Sequence, residues 1–146
     1  MEQIIIKCRC VYKGHKSGEA LVSHEGVGGW GSVEECSGTV TERGHELQGK
    51  SVKDKVLVFP YAKGSCGWAK VFQNMAHFGS SPAAMIIRTI DNRSALGAVT
   101  SRTASVTDAE IDPLTVIETG DWVDVNADQG IITVTKKENG SLPEVD

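Results

Sequence analysis

Long apolar runs are missing from this 146-residue chain, and without about 20 consecutive apolar residues no segment is expected to cross a membrane. The N-terminus, Met1-Glu2-Gln3-Ile4-Ile5-Ile6-Lys7, lacks the apolar core and cleavage site of a signal peptide. Secretion is therefore not expected, and the cytoplasm is the expected compartment. Clusters of basic residues are missing as well: 15 Lys and Arg stand against 19 Asp and Glu, for a formal net charge of -4. No stretch can track a phosphate backbone, which argues against a nucleic-acid partner. The four cysteines, Cys8, Cys10, Cys36 and Cys66, include no C-x-x-C pair. Reduced thiols are expected rather than disulfides, and no metal site is assigned to this chain alone. Cys8 and Cys10 would share one face of an extended strand and read as paired small core residues.

Leucine is scarce: six against 26 valines and isoleucines combined. Branched β-carbons suit a pleated sheet better than a helix interior, so strands should dominate. Sixteen glycines supply turns, and no repeat of solenoid length is present. Strands are expected at Gln3 to Cys8, Glu19 to Ser23 and Gly38 to Thr41, with Lys55 to Phe59 at the centre of the sheet and Pro60 ending its ladder. Trp68, Val71, Phe72 and Met75 recur on one face of a helix expected over Cys66 to Phe78, stopped by Gly79. Ala83 to Arg88 is then a strand, which requires a crossover to a parallel neighbour. A second helix, capped by Asp91 or Asn92 and running to about Arg102, should lead to a strand at Thr115 to Glu118. Asp121 to Val125 and Gly130 to Val134 read as a terminal hairpin. The pattern is a single α/β domain with a mixed sheet and two crossover helices, sandwich-like or barrel-like, over residues 1–135. Residues 136–146 read as a polar C-terminal tail.

Ligands of such sheets collect beyond the carboxyl ends of parallel strands, where loops enter helices. That place is Lys63-Gly64-Ser65-Cys66-Gly67. The glycines allow close approach to the backbone, and the N–H groups of a first helical turn favour a carboxylate or phosphate. Ser65 can serve that anion or act as a base; equally it can be a helix N-cap worth ~1 kcal/mol. Gly26 to Ser32 reads as a turn when taken alone. His15, His24, His45 and His77 have no partner spacing, and Lys63 and Arg102 are lone cations able to bind a carboxylate.

A resemblance adds to this reading. Gly18-Glu19-Ala20-Leu21-Val22, Trp30-Gly31-Ser32-Val33, Gly38, His45, Gly49-Lys50-Ser51-Val52, Lys55-Val56-Leu57-Val58, Lys63-Gly64-Ser65-Cys66, Ser81-Pro82-Ala83-Ala84 and Leu96-Gly97-Ala98-Val99 resemble, in order, the small subunit of aconitase X. The resemblance implies a swivelling β/β/α domain that closes over an active site on a large subunit. It implies a hydro-lyase, inactive without that partner, whose iron or iron–sulfur ligands come from the large subunit. Its substrate would be a small hydroxy-carboxylate, cis-3-hydroxy-L-proline first and mevalonate 5-phosphate second. By this resemblance Ser65 is the catalytic serine, with the Cys66 thiolate as the other candidate proton acceptor. Lys63, Gly64, Cys66 and Gly67 are substrate contacts, and so are Trp30, Gly31 and Ser32 in the family's tryptophan-glycine-glycine loop. The sequence departs from the family at Ser32, at Glu46 after His45, and at Gly67-Trp68. Two other functions compete: a non-catalytic swivelling carrier of the phosphohistidine type, using His24, and a subunit that only stabilises a larger enzyme.

Overall fold

The computed structural model describes residues 2–65 and 67–138. Its strands are β1 (Gln3–Lys7), β2 (Arg9–Tyr12), β3 (His15–Val22), β4 (Val27–Gly28), β5 (Val33–Glu34), β6 (Thr39–Val40), β7 (Val56–Phe59), β8 (Ala62–Lys63), β9 (Ala84–Ile87), β10 (Ala104–Thr107), β11 (Trp122–Asn126) and β12 (Ile131–Thr135). The helices are α1 (Trp68–Phe78), α2 (Asn92–Ser101) and the short α3 (Pro113–Val116). Eight strands form one mixed sheet in the order β1-β12-β11-β3-β7-β9-β10-β2, with β3, β7, β9 and β10 mutually parallel. Among the described residues no helix is long and apolar enough to cross a membrane.

Only Cys8 separates β1 from β2, yet these strands stand at opposite ends of the sheet order. The sheet must therefore curl until its two edges meet. Lys7 O accepts the Glu110 N–H at 2.9 Å, and the Cys8 N–H donates to Gly130 O at 2.9 Å, which stitches that closure. Alternation along the parallel strands divides the interior in two. Val56, Val58, Ala84, Ile86 and Val106 pack inward against Ile6, Val123, Val125, Ile132 and Val134 of the antiparallel end. Leu57, Phe59, Met85 and Ile87 face Trp68, Val71, Phe72 and Met75 of α1.

The helical spacing of α1 holds, though the helix begins at Trp68 and its left-handed C-cap is Gly79. Trp68 is 1% exposed and stacks on Phe72 at 3.9 Å, so its bulk belongs to the core and not to the neighbouring loop. Room for the indole comes from Gly97 on α2, where a Cβ would fall 2.2 Å from the Trp68 ring.

Three expectations change. The strand that follows α2 is β10, not Thr115 to Glu118; Asp112 accepts the Leu114 N–H and Pro113 occupies the first turn, so that apolar stretch becomes α3. Cys10 is exposed on β2, so it is no core partner of half-buried Cys8. The glycine-rich segment after β3 is not all turn, since β4 pairs in parallel with β8. Beyond β12, Lys136 Nζ reaches Asp121 Oδ2 at 2.6 Å and the Lys137 N–H reaches Oδ1 at 2.9 Å. Positions 139–146 of the expected tail lie outside the described residues.

Candidate functional site

The loops at the carboxyl ends of the parallel strands converge as the topology requires. After β3 the chain enters the glycine-rich loop, which is held in three ways. The Val27 N–H donates to Tyr61 O at 3.0 Å, and the Trp68 indole N–H donates to Val27 O at 2.8 Å. Buried His45 accepts the Leu47 N–H at Nδ1, which leaves Nε2 to carry the proton and donate to Gly26 O at 2.9 Å. Ser32 O in turn accepts the N–H groups of Thr41 and Glu42 at 2.8 and 3.3 Å, which brings Glu42 against the loop.

A cleft of about 310 Å³ results, with Trp30, Ser32, Glu42, Lys63 and Ser65 among its walls. Trp30 is 73% exposed at its rim. Lys63 Nζ donates to Glu42 Oε2 at 2.7 Å. That hydrogen bond holds the Glu42 carboxyl below the usual range against the opposing effect of burial, with smaller help from the Lys63 charge and the nearby Ser32 hydroxyl. Glu42 Oε1 is shut off from solvent and has no hydrogen-bond partner among the described residues.

Gly64 and Ser65 form the ridge between this cleft and a second one, of about 400 Å³, walled by Asp91, Asn92 and Arg93. Gly64 takes φ +99°, a value that side chains rarely adopt, with open space where a Cβ would stand. The Ser65 hydroxyl oxygen accepts the Gly67 N–H at 3.2 Å. The N-cap position itself is Gly67, in helical conformation, so Ser65 stabilises the entry to α1 from two residues upstream and not as the formal cap. Asp91 caps α2 in a reciprocal capping box with Ser94. Burial alone would raise the Asp91 carboxyl, but hydrogen bonds from Arg93 and Ser94 outweigh it and hold it low. The two cations, Lys63 and Arg93, are each ion-paired to a carboxylate, Glu42 and Asp91, so these four side chains carry no net charge.

Of the residues singled out from sequence, Trp30, Ser32, Lys63, Gly64 and Ser65 come together in one cleft. Gly31 lines an adjoining groove with Trp30 and Val71. Gly67 sits beneath Ser65 as its hydrogen-bond donor, and Cys66 lies outside the described residues. Arg102 is remote. It lines a cleft of about 340 Å³ with Lys13 and Asp54 at the opposite ends of the parallel strands, where the helices present carbonyls and not N–H groups. His24 pairs with Glu46 through Nδ1 at 2.8 Å. Sequence reasoning missed Glu42 and Arg93; the only signal for Arg93 was its place just inside the helix that Asp91 caps. Among the described residues no three His, Cys, Asp or Glu side chains converge to hold a metal ion.

Comparison with known proteins accords with this architecture. The profile of the aconitase X swivel domain matches residues 5–134. The phosphomevalonate dehydratase small subunit of Methanosarcina acetivorans is 35% identical over 144 residues, 99% of this chain and 100% of that one. The cis-3-hydroxy-L-proline dehydratase of Pseudomonas aeruginosa is 35% identical over 95 residues, 65% of this chain but 16% of the longer protein. The crystal structure of holo-form aconitase X from Thermococcus kodakaraensis superposes with a TM-score of 0.86 at 28% identity, covering 91% of this chain and 99% of that one. The chain belongs to the aconitase X swivel-domain family. It is the small subunit of an aconitase X-type dehydratase.

Proposed function

We propose that this chain is the closing half of a cytoplasmic two-chain hydro-lyase and that Ser65 removes the proton during loss of water from a small hydroxy-carboxylate. The observation that carries the reading is the position of Ser65: on the strand-to-helix ridge between two clefts, with Lys63 on one side and Arg93 on the other. The iron or iron–sulfur group implied by the family is assigned to the large subunit.

What this chain contributes follows from its own residues. A serine hydroxyl is far too weak a base unless its oxyanion is stabilised. The Gly67 N–H already points at Ser65 Oγ, and the N-terminus of α1 adds a favourable partial charge. Closure of the domain onto its partner would remove water and strengthen both effects. As the stabilised oxyanion, Ser65 Oγ would take the proton from the carbon next to the substrate carboxylate. The C–H electron pair would form the new double bond as the β-hydroxyl leaves as hydroxide, and that hydroxide would take the proton back from Ser65, releasing water and restoring the oxyanion. Lys63 would face the negative charge that builds on that carboxylate, while exposed Trp30 covers the mouth of the cleft.

Both candidate substrates carry a hydroxyl on the carbon β to a carboxylate, so one arrangement serves either. Mevalonate 5-phosphate is favoured by the relatives of matching length, which are named for phosphomevalonate. The second reading, cis-3-hydroxy-L-proline, is favoured by the balanced charges of Lys63 with Glu42 and Arg93 with Asp91, which leave no surplus positive charge for a phosphate. Reconstitution with the large subunit, followed by a water-elimination assay on each compound, decides between them. Turnover of neither would overturn the proposal.

A further inference from the structure

Arg93 spends its guanidinium on the protein itself. Nε and Nη2 donate to Asp91 Oδ2 at 3.0 and 2.7 Å, and Nη1 donates to the Gly64 carbonyl at 2.7 Å. Asp91 is fixed in turn, because its Oδ1 accepts the Ser94 N–H at 3.1 Å within the capping box of α2. A rigid helix end is thus connected through one side chain to the peptide bond that precedes Ser65.

The other hydrogen bonds at this turn are long: Ser65 Oγ accepts the Gly67 N–H and Ser65 O accepts the Trp68 N–H, each at 3.2 Å. Gly64 and Ser65 are both exposed, and Gly64 has nothing within 4 Å of the place a Cβ would take. Glycine at φ +99° gives the backbone a wide choice of neighbouring conformations. Rotation of the Gly64–Ser65 peptide would swing the serine hydroxyl from one cleft toward the other. We infer that Arg93 is a positioning residue for Ser65: by holding the Gly64 carbonyl it fixes the peptide plane and so the direction of Oγ. Planar, forked donors suit this task, since one guanidinium can grip a carboxylate and a carbonyl together while a lysine ammonium cannot hold both in fixed geometry.

The inference rests on the reading of Ser65 as proton acceptor, and the experiment separates the two. In the reconstituted two-subunit enzyme, Arg93→Ala should lower kcat by roughly 10- to 100-fold, the scale of a misplaced reacting group, with KM changed by less than about 3-fold. Millimolar guanidinium ion should restore part of the lost kcat, and Arg93→Lys should fall between the two. Combining Arg93→Ala with Ser65→Ala should cost little beyond Ser65→Ala alone, because a positioning effect has nothing left to position. If Arg93→Ala prevents assembly, Arg93→Gln provides the same comparison. A large rise in KM at unchanged kcat would make Arg93 a substrate ligand and overturn the inference. So would wild-type kcat in Arg93→Ala when Ser65→Ala is impaired. Wild-type kcat in Ser65→Ala would instead remove the reading of Ser65 itself.

Discussion

The indole nitrogen of Trp68 donates to the carbonyl of Val27 at 2.8 Å, across 41 positions of sequence. One buried side chain therefore locks the first turn of α1 to the glycine-rich loop, and the ridge carrying Ser65 lies between them. Packing of that ring and the geometry of the cleft are not separable.

The same ring fills the space that a side chain at Gly97 would need. Gly97→Ala places a methyl group where the buried Trp68 ring already lies, so the ring or α2 must shift. The variant should lose ~1–3 kcal/mol by overpacking, read as a lower midpoint in urea with an unchanged slope. A midpoint equal to that of the parent would show that α2 can shift away from α1.

Ser65→Ala removes the acceptor of the Gly67 N–H, which is exposed enough to turn to water. Stability should change by ~1 kcal/mol or less, whereas kcat of the reconstituted enzyme should drop by roughly 10²-fold or more. The contrast between a small thermal shift and a large kinetic loss is the signature to measure.

Asp121 is completely buried, and its carboxylate receives Lys136 Nζ, the Lys137 N–H and the Glu118 N–H. Burial pulls its pKa upward, but those three donors outweigh it and leave it below the ordinary 3.8. A depressed carboxyl stabilises the fold fully above its unfolded value and loses that contribution as pH falls through the folded value. Asp121→Asn should therefore cost roughly 2 kcal/mol near neutrality. The gap from the parent should narrow as pH drops below about 4, in denaturant titrations at successive pH values. A gap of constant size across that range would show that the charge of Asp121 contributes nothing.

Burial, with the neighbouring Cys10, pushes the Cys8 thiol up to about 11. Little thiolate then exists at pH 8, and alkylation of the native chain should modify exposed Cys10 well before Cys8. Peptide mapping after brief treatment with iodoacetamide checks the order. Equal labelling would mean that the seam between β1 and β2 opens readily.

The elements read correctly from sequence are those whose burial is written in apolar residues. Val56 to Phe59, Ala84 to Ile87 and the face of α1 are of this kind. β10 escaped because Ser105 and Thr107 are buried by satisfying their hydroxyls on backbone carbonyls, Thr103 O at 2.8 Å and Ile87 O at 2.6 Å. Such residues look like loop until their partners are known. Conversely, Leu114 and Val116 look like strand, yet Asp112 and Pro113 start a helical turn there. The cleft shows the same division. Ser65 and Lys63 were visible from the strand-to-helix context, but Arg93 acts on a carbonyl 29 positions away, a contact that leaves no pattern in the sequence.

The closure of the sheet through Cys8 also sets the order in which this chain can fold. β1 pairs with β12, whose Thr135 lies 132 positions from Gln3, while β2 must find β10. Contacts so distant in sequence form slowly, because the loop between them has to be closed before they contribute anything. On the ribosome the first strand emerges first and is satisfied last. Until β12 has been made, β1 is an unpaired edge bearing Ile4, Ile5 and Ile6, an apolar strand that waits uncovered for a partner from the far end of the domain.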